Sequence, residues 1–387
     1  MPHGIYLDNN LTTRPSKKGI SDMLVFLTEQ WGSPSAPHQM GQELFPAMKE
    51  AYQSLYTLLG AKEVDDIIFT SSGEEAVNHV FTAAFHDITL PTGKNQFLCA
   101  NEDEAPALMA ISRLEQQGCV GKMVSTNREG QLTVEEIAEN ISPRTALISL
   151  GWANGLTGVV NPIAEISALC QERGIKLHVD ATHILGKLFF NLDELNIDFI
   201  SFSGDRFHAP KGTGGLYIKA GVKCSPFILG GMEQGGLRAG NINVPGLIAL
   251  GTAAREALDA RDLLCTEIAR LTRKLETGIK EKFPEAVLLF QDQEKLPNTT
   301  AIAFPGITNE AFLYALNRQN VFASIGGGSF QQIGLILTAA GIDAVLAHTA
   351  ISFSLSRETT EDEIDRAILL ITDLAKRLRK TSQQLLK

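Results

Sequence analysis

Residues 201–217, SFSGDRFHAPKGTGGLY, include the charged residues whose chemistry is clearest. Arg206 keeps its guanidinium protonated and is a very poor nucleophile, so it can neither form an imine nor shuttle protons. It can pair with a carboxylate, such as Asp205 beside it or Asp180 upstream, or it can hold the phosphate or carboxylate group of a ligand. The segment therefore predicts either an ion pair or a site for an anion.

Two apolar, strand-like runs separated by a helix-like spacer lead into this segment, with Asp180 ending the first run and Ser203 following the second. Similar short apolar runs recur along the chain and fit a sheet that is buried on both faces. Helical spacers such as 134–140 and 162–173 lie between several of them, so a mainly parallel sheet is predicted, with ligands at the carboxyl ends of its strands. The predicted strands are 67–70, 97–100, 146–150, 175–179, 199–202 and 215–218.

A different pattern follows this sheet and predicts a second domain. A long helical stretch, from Val244 to about Lys282, leads to strands at 299–304 and 350–355 and to a closing amphipathic helix at 361–380. The first dozen residues are expected to join this domain or the cleft. The predicted division is a large domain at 16–255 and a small α+β domain made of 1–15 and 256–387.

Composition describes an ordinary globular chain of 387 residues, of which 44% are hydrophobic and 20% charged. The formal net charge of −10 argues against a nucleic-acid partner, because binding to phosphate backbones needs clustered Lys and Arg. The sequence has no apolar run long enough to span a membrane and no signal peptide at its start. A cytoplasmic protein without a membrane partner is expected.

The five cysteines are scattered, without the C-x-x-C spacing of a zinc or redox site. An odd number fits reduced thiols better than a framework of disulfides. All five are therefore predicted to be buried or incidental, and no metal site is expected. They are Cys99, Cys119, Cys170, Cys224 and Cys265.

Seven motifs are spread along nearly the whole chain: YLDNNLTTRPS, WGSPSAPHQMG, IIFTSSGEEAVNHV, NPIAEISALCQERGIKLHVDA, FHAPKGTGGLYIK, GGLRAGNINVPGLIALG and ISFSLSRETTEDEID. They resemble those of the pyridoxal-phosphate enzymes of fold type I, aminotransferase class V, and most of all the cysteine desulfurases of iron–sulfur cluster assembly. The resemblance implies an α/β fold in which a mainly parallel mixed sheet lies between helices, beside a smaller α+β domain. It implies pyridoxal phosphate as the cofactor.

The same resemblance implies that several reactive positions have changed. Arg206 stands where the family has its cofactor-bearing lysine, and Asp205 where a histidine helps to hold the phosphate. Glu104 replaces the histidine that stacks on the cofactor ring, and Glu74 replaces a hydroxyl residue at the phosphate, although an acidic residue also suits the first turn of a helix. The family's sulfur-carrying loop corresponds to ASIGGGSFQQI, with Ser329 near the cysteine position.

Other positions of the family's site are kept. Asp180 matches the aspartate that pairs with the pyridine nitrogen, and Ser203 matches a phosphate contact. Arg357 matches the arginine that holds a substrate carboxylate, although a salt bridge to the acidic cluster at 358–363 would also explain it. Asn154 matches a residue near the ring hydroxyl, and Arg238 matches an arginine that the family keeps. His183 is either a ligand contact or a cleft histidine that is hydrogen-bonded within the protein. Asn241 stands in place of a threonine that reaches the partner subunit's phosphate.

The resulting hypothesis is a cysteine-desulfurase-like pseudoenzyme whose covalent cofactor binding is lost and whose non-covalent binding is disfavoured. It would form a homodimer and bind an iron–sulfur scaffold protein or an active desulfurase relative. One alternative is an enzyme that holds the cofactor non-covalently, with Arg357 binding an amino acid and His183 or Lys211 moving protons. Another is an enzyme that binds an anionic metabolite through Arg206, Arg238 and Arg357.

Overall fold

The computed structural model describes residues 4–327 and 331–385, and a seven-stranded sheet forms its centre. The strands of that sheet are numbered here together with those of the two smaller sheets. They are β1 Ile5–Tyr6, β2 Asp66–Thr70, β3 Gln96–Ala100, β4 Val120–Val124, β5 Thr145–Gly151, β6 Lys176–Asp180, β7 Phe199–Ser203, β8 Gly214–Ile218, β9 Val287–Leu288, β10 Thr299–Ala303, β11 Val321–Phe322 and β12 Ala350–Ser354.

The central sheet has the strand order β2-β8-β7-β6-β5-β3-β4, and β8 alone runs antiparallel to its neighbours. Successive side chains of a strand point to opposite sides of the sheet, so a continuous apolar run makes both faces of the strand apolar. In β3, for example, Phe97 and Cys99 pack into the hydrophobic cluster on one face, and Leu98 and Ala100 into that on the other. The predicted α/β class with a mainly parallel mixed sheet is confirmed.

Helices cover both faces of this sheet and begin at recognisable capping residues. Ser72, for example, accepts a hydrogen bond from the Glu75 amide at the start of α4, as a helix N-cap does. The helices are α1 Lys17–Thr28, α2 Gln39–Gln42, α3 Phe45–Leu59, α4 Gly73–Ala84, α5 Leu90–Thr92, α6 Ala105–Glu115, α7 Val134–Asn140, α8 Ile163–Arg173, α9 Val244–Asp259, α10 Arg261–Leu263, α11 Ala269–Lys282, α12 Asn309–Arg318, α13 Ile333–Ala339, α14 Ala344–Ala347 and α15 Glu361–Leu385.

The two smaller sheets lie in the C-terminal part and involve the N-terminal segment. Strands β12, β10 and β9 form an antiparallel sheet, whereas β1 pairs in parallel with β11. Beyond β1, the backbone amide of Thr13 donates to the carbonyl oxygen of Asp205 at 2.7 Å. The N-terminal segment therefore contacts both the small sheets and the cleft.

The elements differ from the sequence prediction in several places, and the two-residue strands β9 and β11 were not predicted. The edge strand β4 was missed because its sequence, VGKMV, interrupts the apolar run with glycine and lysine. The predicted long helix is divided at Ala260, and a π-helical turn at Leu264–Ile268 follows. The closing helix continues to Leu385, five residues beyond the predicted end. Among the helices that the structure describes, none has the length and apolar character needed to cross a bilayer.

Candidate functional site

The carboxyl ends of β3, β5, β6 and β7 meet at one edge of the sheet, because these four strands run parallel. Residues at or just after these ends bring together Glu104, Asn154 and Asp180, which line one cavity with His183. Arg206 follows β7 in a short 3-10 turn, Gly204–Arg206. Residues that are far apart in the sequence therefore lie close together in one cleft.

Asp180 lies at the end of β6, and its Oδ1 accepts a hydrogen bond from the Thr182 amide at 2.9 Å. Burial and, secondarily, the neighbouring Glu104 raise the pKa of this carboxyl to about 6, although the Thr182 hydrogen bond opposes the shift. The charge of Asp180 is thus poorly stabilised by the surrounding protein. A cationic group bound in the cavity would stabilise the ionised form.

Arg206 is 8% exposed and forms an ion pair with the adjacent Asp205, at 3.0 Å between Nη1 and Oδ2. The Thr12 hydroxyl, from the N-terminal segment, donates to the same carboxylate oxygen at 3.0 Å. Of the two carboxylates that the sequence offered as partners, Asp205 therefore forms the pair. The guanidinium is held inside the cleft by a carboxylate that is adjacent to it in sequence.

Glu104 and His183 contact each other through Oε1 and Nε2. Burial raises the pKa of Glu104 to about 7 and holds the pKa of His183 well below its usual value. Desolvation therefore favours the uncharged forms of both groups. The histidine is a hydrogen-bonded cleft residue, which was one of the two interpretations offered for it.

The N-terminus of α4 approaches the end of β7 closely. The Gly73 amide donates to Ser203 Oγ at 2.8 Å, and a Cβ at Gly73 would lie only 2.8 Å from that oxygen. Glu74 and Glu75 stand in the first turn, and Glu75 binds Arg238 through Nε and Oε1 at 2.8 Å. The positive end of this helix therefore already has carboxylates beside it.

Two asparagines of the predicted site have local structural roles. Asn154 Oδ1 accepts hydrogen bonds from the Leu156 and Thr157 amides, both at 3.0 Å, and so stabilises the turn after β5. Asn241 lies away from the cavity beside Asp180, and its Oδ1 accepts from the Ser33 hydroxyl at 3.0 Å. Both residues use their side-chain oxygen within the chain.

Arg357 forms a salt bridge through Nη2, but with Glu256 of α9 and not with the acidic cluster that follows it in sequence. The sequence could not indicate this, because Glu256 is 101 positions away. Lys211 is exposed and lines a separate cavity with Tyr6, Arg14 and Glu358. It is absent from the lining of the Asp180 cavity.

Four of the five cysteines are buried, and burial raises their thiol pKa values. For Cys170 and Cys224 the value rises to about 12. Cys265 is exposed, in the π-helical turn. Among the described residues no group of His, Cys, Asp and Glu could hold a metal ion. Ser329, the residue expected near the cysteine position, lies outside the described residues.

One buried group of the cleft escaped the sequence interpretation. Lys187 lies in the turn after β6 and is 4% exposed. The signal was available, since this residue is the only charged side chain in the otherwise apolar run ILGKLFF, from Ile184 to Phe190. A lone lysine in such a run indicates either a buried amine or a side chain that reaches the surface along its apolar stem.

The Asp180 cavity also contains Glu102, whose pKa is raised to about 8 by burial and, secondarily, by the charge of Asp103. A carboxyl whose pKa rises on folding stabilises the protein fully below its unfolded pKa of about 4.5, and this contribution is lost as the pH rises through about 8. The folded protein should therefore tolerate an uncharged amide at this position better than the ionised carboxylate.

The variant Glu102→Gln should accordingly be more stable than the unaltered chain at pH 9, by about 1–3 kcal/mol, and nearly equal to it at pH 4.5. Urea unfolding at both pH values measures the difference. Glu139→Gln, at an exposed position of α7, serves as the control and should show no such dependence. An equal effect of Glu102→Gln at both pH values would contradict the raised pKa.

The aminotransferase class-V family model matches residues 5–367 of the chain. Cysteine desulfurase from Trichormus azollae and cysteine desulfurase NifS from Azotobacter vinelandii are each 37% identical to it over 383 residues, covering 98% of this chain and 94% of the relative. The solved structure of a NifS-like protein aligns with a TM-score of 0.90 and 29% identity, covering 97% of this chain and 100% of that chain. The structure of cysteine desulfurase from Thermococcus onnurineus NA1 aligns with a TM-score of 0.84 at 19% identity, covering 97% and 95%, and shows the shared fold.

Proposed function

Because the chain belongs to the aminotransferase class-V family, and within it to the cysteine desulfurases, we propose that it keeps their fold without their covalent cofactor chemistry and acts by binding other proteins. The observation that carries this proposal is the buried pair of Arg206 and Asp205. The family resemblance places Arg206 at the lysine position, and a guanidinium cannot form the imine that anchors the cofactor.

The charges of this cleft disfavour pyridoxal phosphate, the cofactor that the family implies. Its phosphate is a dianion, and carboxylates stand in the first turn of α4, where a helix N-terminus would otherwise favour an anion. Ser203 Oγ already accepts from Gly73, and Arg238 is engaged by Glu75. Glu104 has no aromatic face for stacking on a ring. These contacts support the loss of cofactor binding.

The cysteines support the loss of sulfur transfer. Persulfide chemistry needs an accessible thiolate, and burial keeps the Cys170 and Cys224 thiols protonated at neutral pH by raising their pKa values to about 12. The sequence ASIGGGSFQQI, in the position of the family's sulfur-carrying loop, contains no cysteine. Cys265, which is exposed, belongs to a helical turn between α10 and α11.

The proposed binding role is that of a cytoplasmic homodimer. Its partner would be an iron–sulfur scaffold protein or an active cysteine desulfurase in a mixed dimer, as the family resemblance implies. Affinity purification of the full chain from its source cell distinguishes these two partners. Recovery of neither would count against this part of the proposal.

Titration of the purified protein with pyridoxal phosphate, followed by borohydride reduction and mass spectrometry, tests the proposal. We expect no saturable absorbance and no stoichiometric adduct, and no release of sulfide from cysteine. The cysteine desulfurase of Trichormus azollae is the positive control. Saturable absorbance without a reducible adduct would instead support the alternative of non-covalent cofactor binding, with Asp180 and Arg357 as contacts.

A further inference from the structure

A cavity of about 230 Å³ lies between helices α4 and α6, and it shares no lining residue with the Asp180 cavity. Phe81 and Leu114 form its floor, and both belong to the hydrophobic cluster on one face of the central sheet. Phe81 is 2% exposed and stacks on Phe97 of β3, at 5.9 Å between ring centroids. The floor of this cavity, called here the aromatic cavity, is therefore buried and apolar.

Two further aromatic rings line the aromatic cavity. Phe85 packs against the same hydrophobic cluster as Phe81 and begins a π-helical turn, Phe85–Thr89, that follows α4. Turns of this kind occur frequently at functional sites. Phe227, in the loop after β8, is 38% exposed and lines the cavity from outside the helices. Three phenyl rings therefore surround one space.

The loop that carries Phe227 is anchored beside the aromatic cavity. The Asp87 carboxylate, in the π-helical turn, accepts hydrogen bonds from the amide and the hydroxyl of Ser225, each at 2.7 Å. The same carboxylate pairs with Lys223 at 2.9 Å, and His79 Nε2 donates to the Ser225 carbonyl oxygen at 3.0 Å. The position of the Phe227 ring is thus fixed without a ligand, which lowers the entropic cost of binding one.

The rim of the aromatic cavity supplies a cation. Arg113, in the last turn of α6, lines the cavity and is exposed. Its guanidinium has no hydrogen bond or ion pair within residues 4–327 and 331–385. A guanidinium binds a carboxylate in bidentate fashion, and the side-chain amide of Gln117, also on the rim, is a further donor. Because a basic residue also suits the end of a helix, the rings and the charge together define the ligand.

We propose that the aromatic cavity binds a small aromatic carboxylic acid, with its ring among the three phenyl rings and its carboxylate on Arg113. The size fits this class, since an apolar cavity of about 150 Å³ holds one benzene molecule. The larger volume here leaves room for the carboxyl group. Aromatic rings attract one another in offset and edge-to-face arrangements beyond the effect of buried area. This site goes beyond the protein-binding role proposed above and is independent of pyridoxal phosphate.

Titration of the full-length protein with para-fluorobenzoate, followed by fluorine NMR, tests the proposal. We expect saturable binding with a dissociation constant of about 1 mM or below. Arg113→Met should raise that constant by about tenfold or more, and Phe227→Ala by about fivefold or more. Arg318→Met is the matched control and should leave it unchanged, because Arg318 is likewise an exposed arginine in the last turn of a helix, α12.

Two analogues separate the contributions of ring and charge. Cyclohexanecarboxylate lacks the aromatic ring and para-fluorobenzyl alcohol lacks the carboxylate, so each should compete with para-fluorobenzoate at least about fivefold less well than benzoate does. Equal competition by either analogue would overturn the assigned ligand class. Absence of saturable binding would overturn the proposal, as would binding that neither Arg113→Met nor Phe227→Ala weakens. Thermal unfolding of both variants, which change exposed side chains, distinguishes a lost contact from misfolding.

Discussion

The double variant Arg206→Lys, Asp205→His is expected to attach pyridoxal phosphate covalently, at a level at least about tenfold above that of the unaltered chain. A lysine amine can lose its proton and bond to the cofactor's aldehyde, whereas a guanidinium cannot. Replacing Asp205 removes the carboxylate that lies 3.0 Å from Arg206 and would hold the new ammonium in its protonated form.

Absorbance titration followed by borohydride reduction and peptide mass spectrometry measures this gain, and the adduct should lie on the introduced lysine. The single variant Arg206→Lys, which keeps Asp205, is the matched control and should react less. If the double variant forms no saturable adduct, the loss of cofactor binding extends to other positions. Glu74 and Glu104, which oppose the phosphate and cannot stack on the ring, would then be the next positions to restore.

The variant Arg206→Met is expected to lower the free energy of unfolding at pH 7 by about 3 kcal/mol. The change leaves Asp205 without its ion-pair partner, and it removes the positive charge that partly opposes the rise in the pKa of Glu104. Removing one partner of a buried ion pair commonly lowers the free energy of unfolding by more than this. Lys187, which lies within reach of the same charges, can be protonated in place of the guanidinium and so limits the loss.

Urea unfolding measures this effect, and Arg255→Met is the matched control because Arg255 pairs with Glu50 at an exposed position. That control should cost less than about 1 kcal/mol, as exposed ion pairs do. If Arg206→Met cost no more than the control, Arg206 would not be needed to balance charge in the cleft. A ligand anion would then be the better explanation for its presence.

The charged groups of the cleft form pairs among themselves: Arg206 with Asp205, His183 with Glu104, and Arg238 with Glu75. In each pair, at least one residue stands at or next to a position that the family resemblance assigns to cofactor binding. A site that balances its own charges has less need of a charged cofactor, and this favours the proposed loss of cofactor binding. Lys187 is the exception, since its amine has no hydrogen bond within the described residues.

Much of the fold could be predicted because the signals for it are local. Continuous apolar runs such as 146–150 and 199–202 indicated buried strands, and the observed β5 and β7 contain them. Strand β4 was missed because an edge strand that is partly exposed has no such run. The position of Asp180 at the end of β6, near the carboxyl ends of β5 and β7, followed from the parallel order.

The sequence by itself determined the family, the α/β architecture and which residue types stand at the candidate site, because these depend on motifs and on periodicity along the chain. Only the tertiary structure decided which charges meet. Glu256 reaches Arg357, and Glu104 reaches His183, across 101 and 79 positions of sequence. It also decided that the Lys187 amine is buried beside Arg206. Burial and distance between charges set pKa values and reactivity, and both arise only when distant segments pack together.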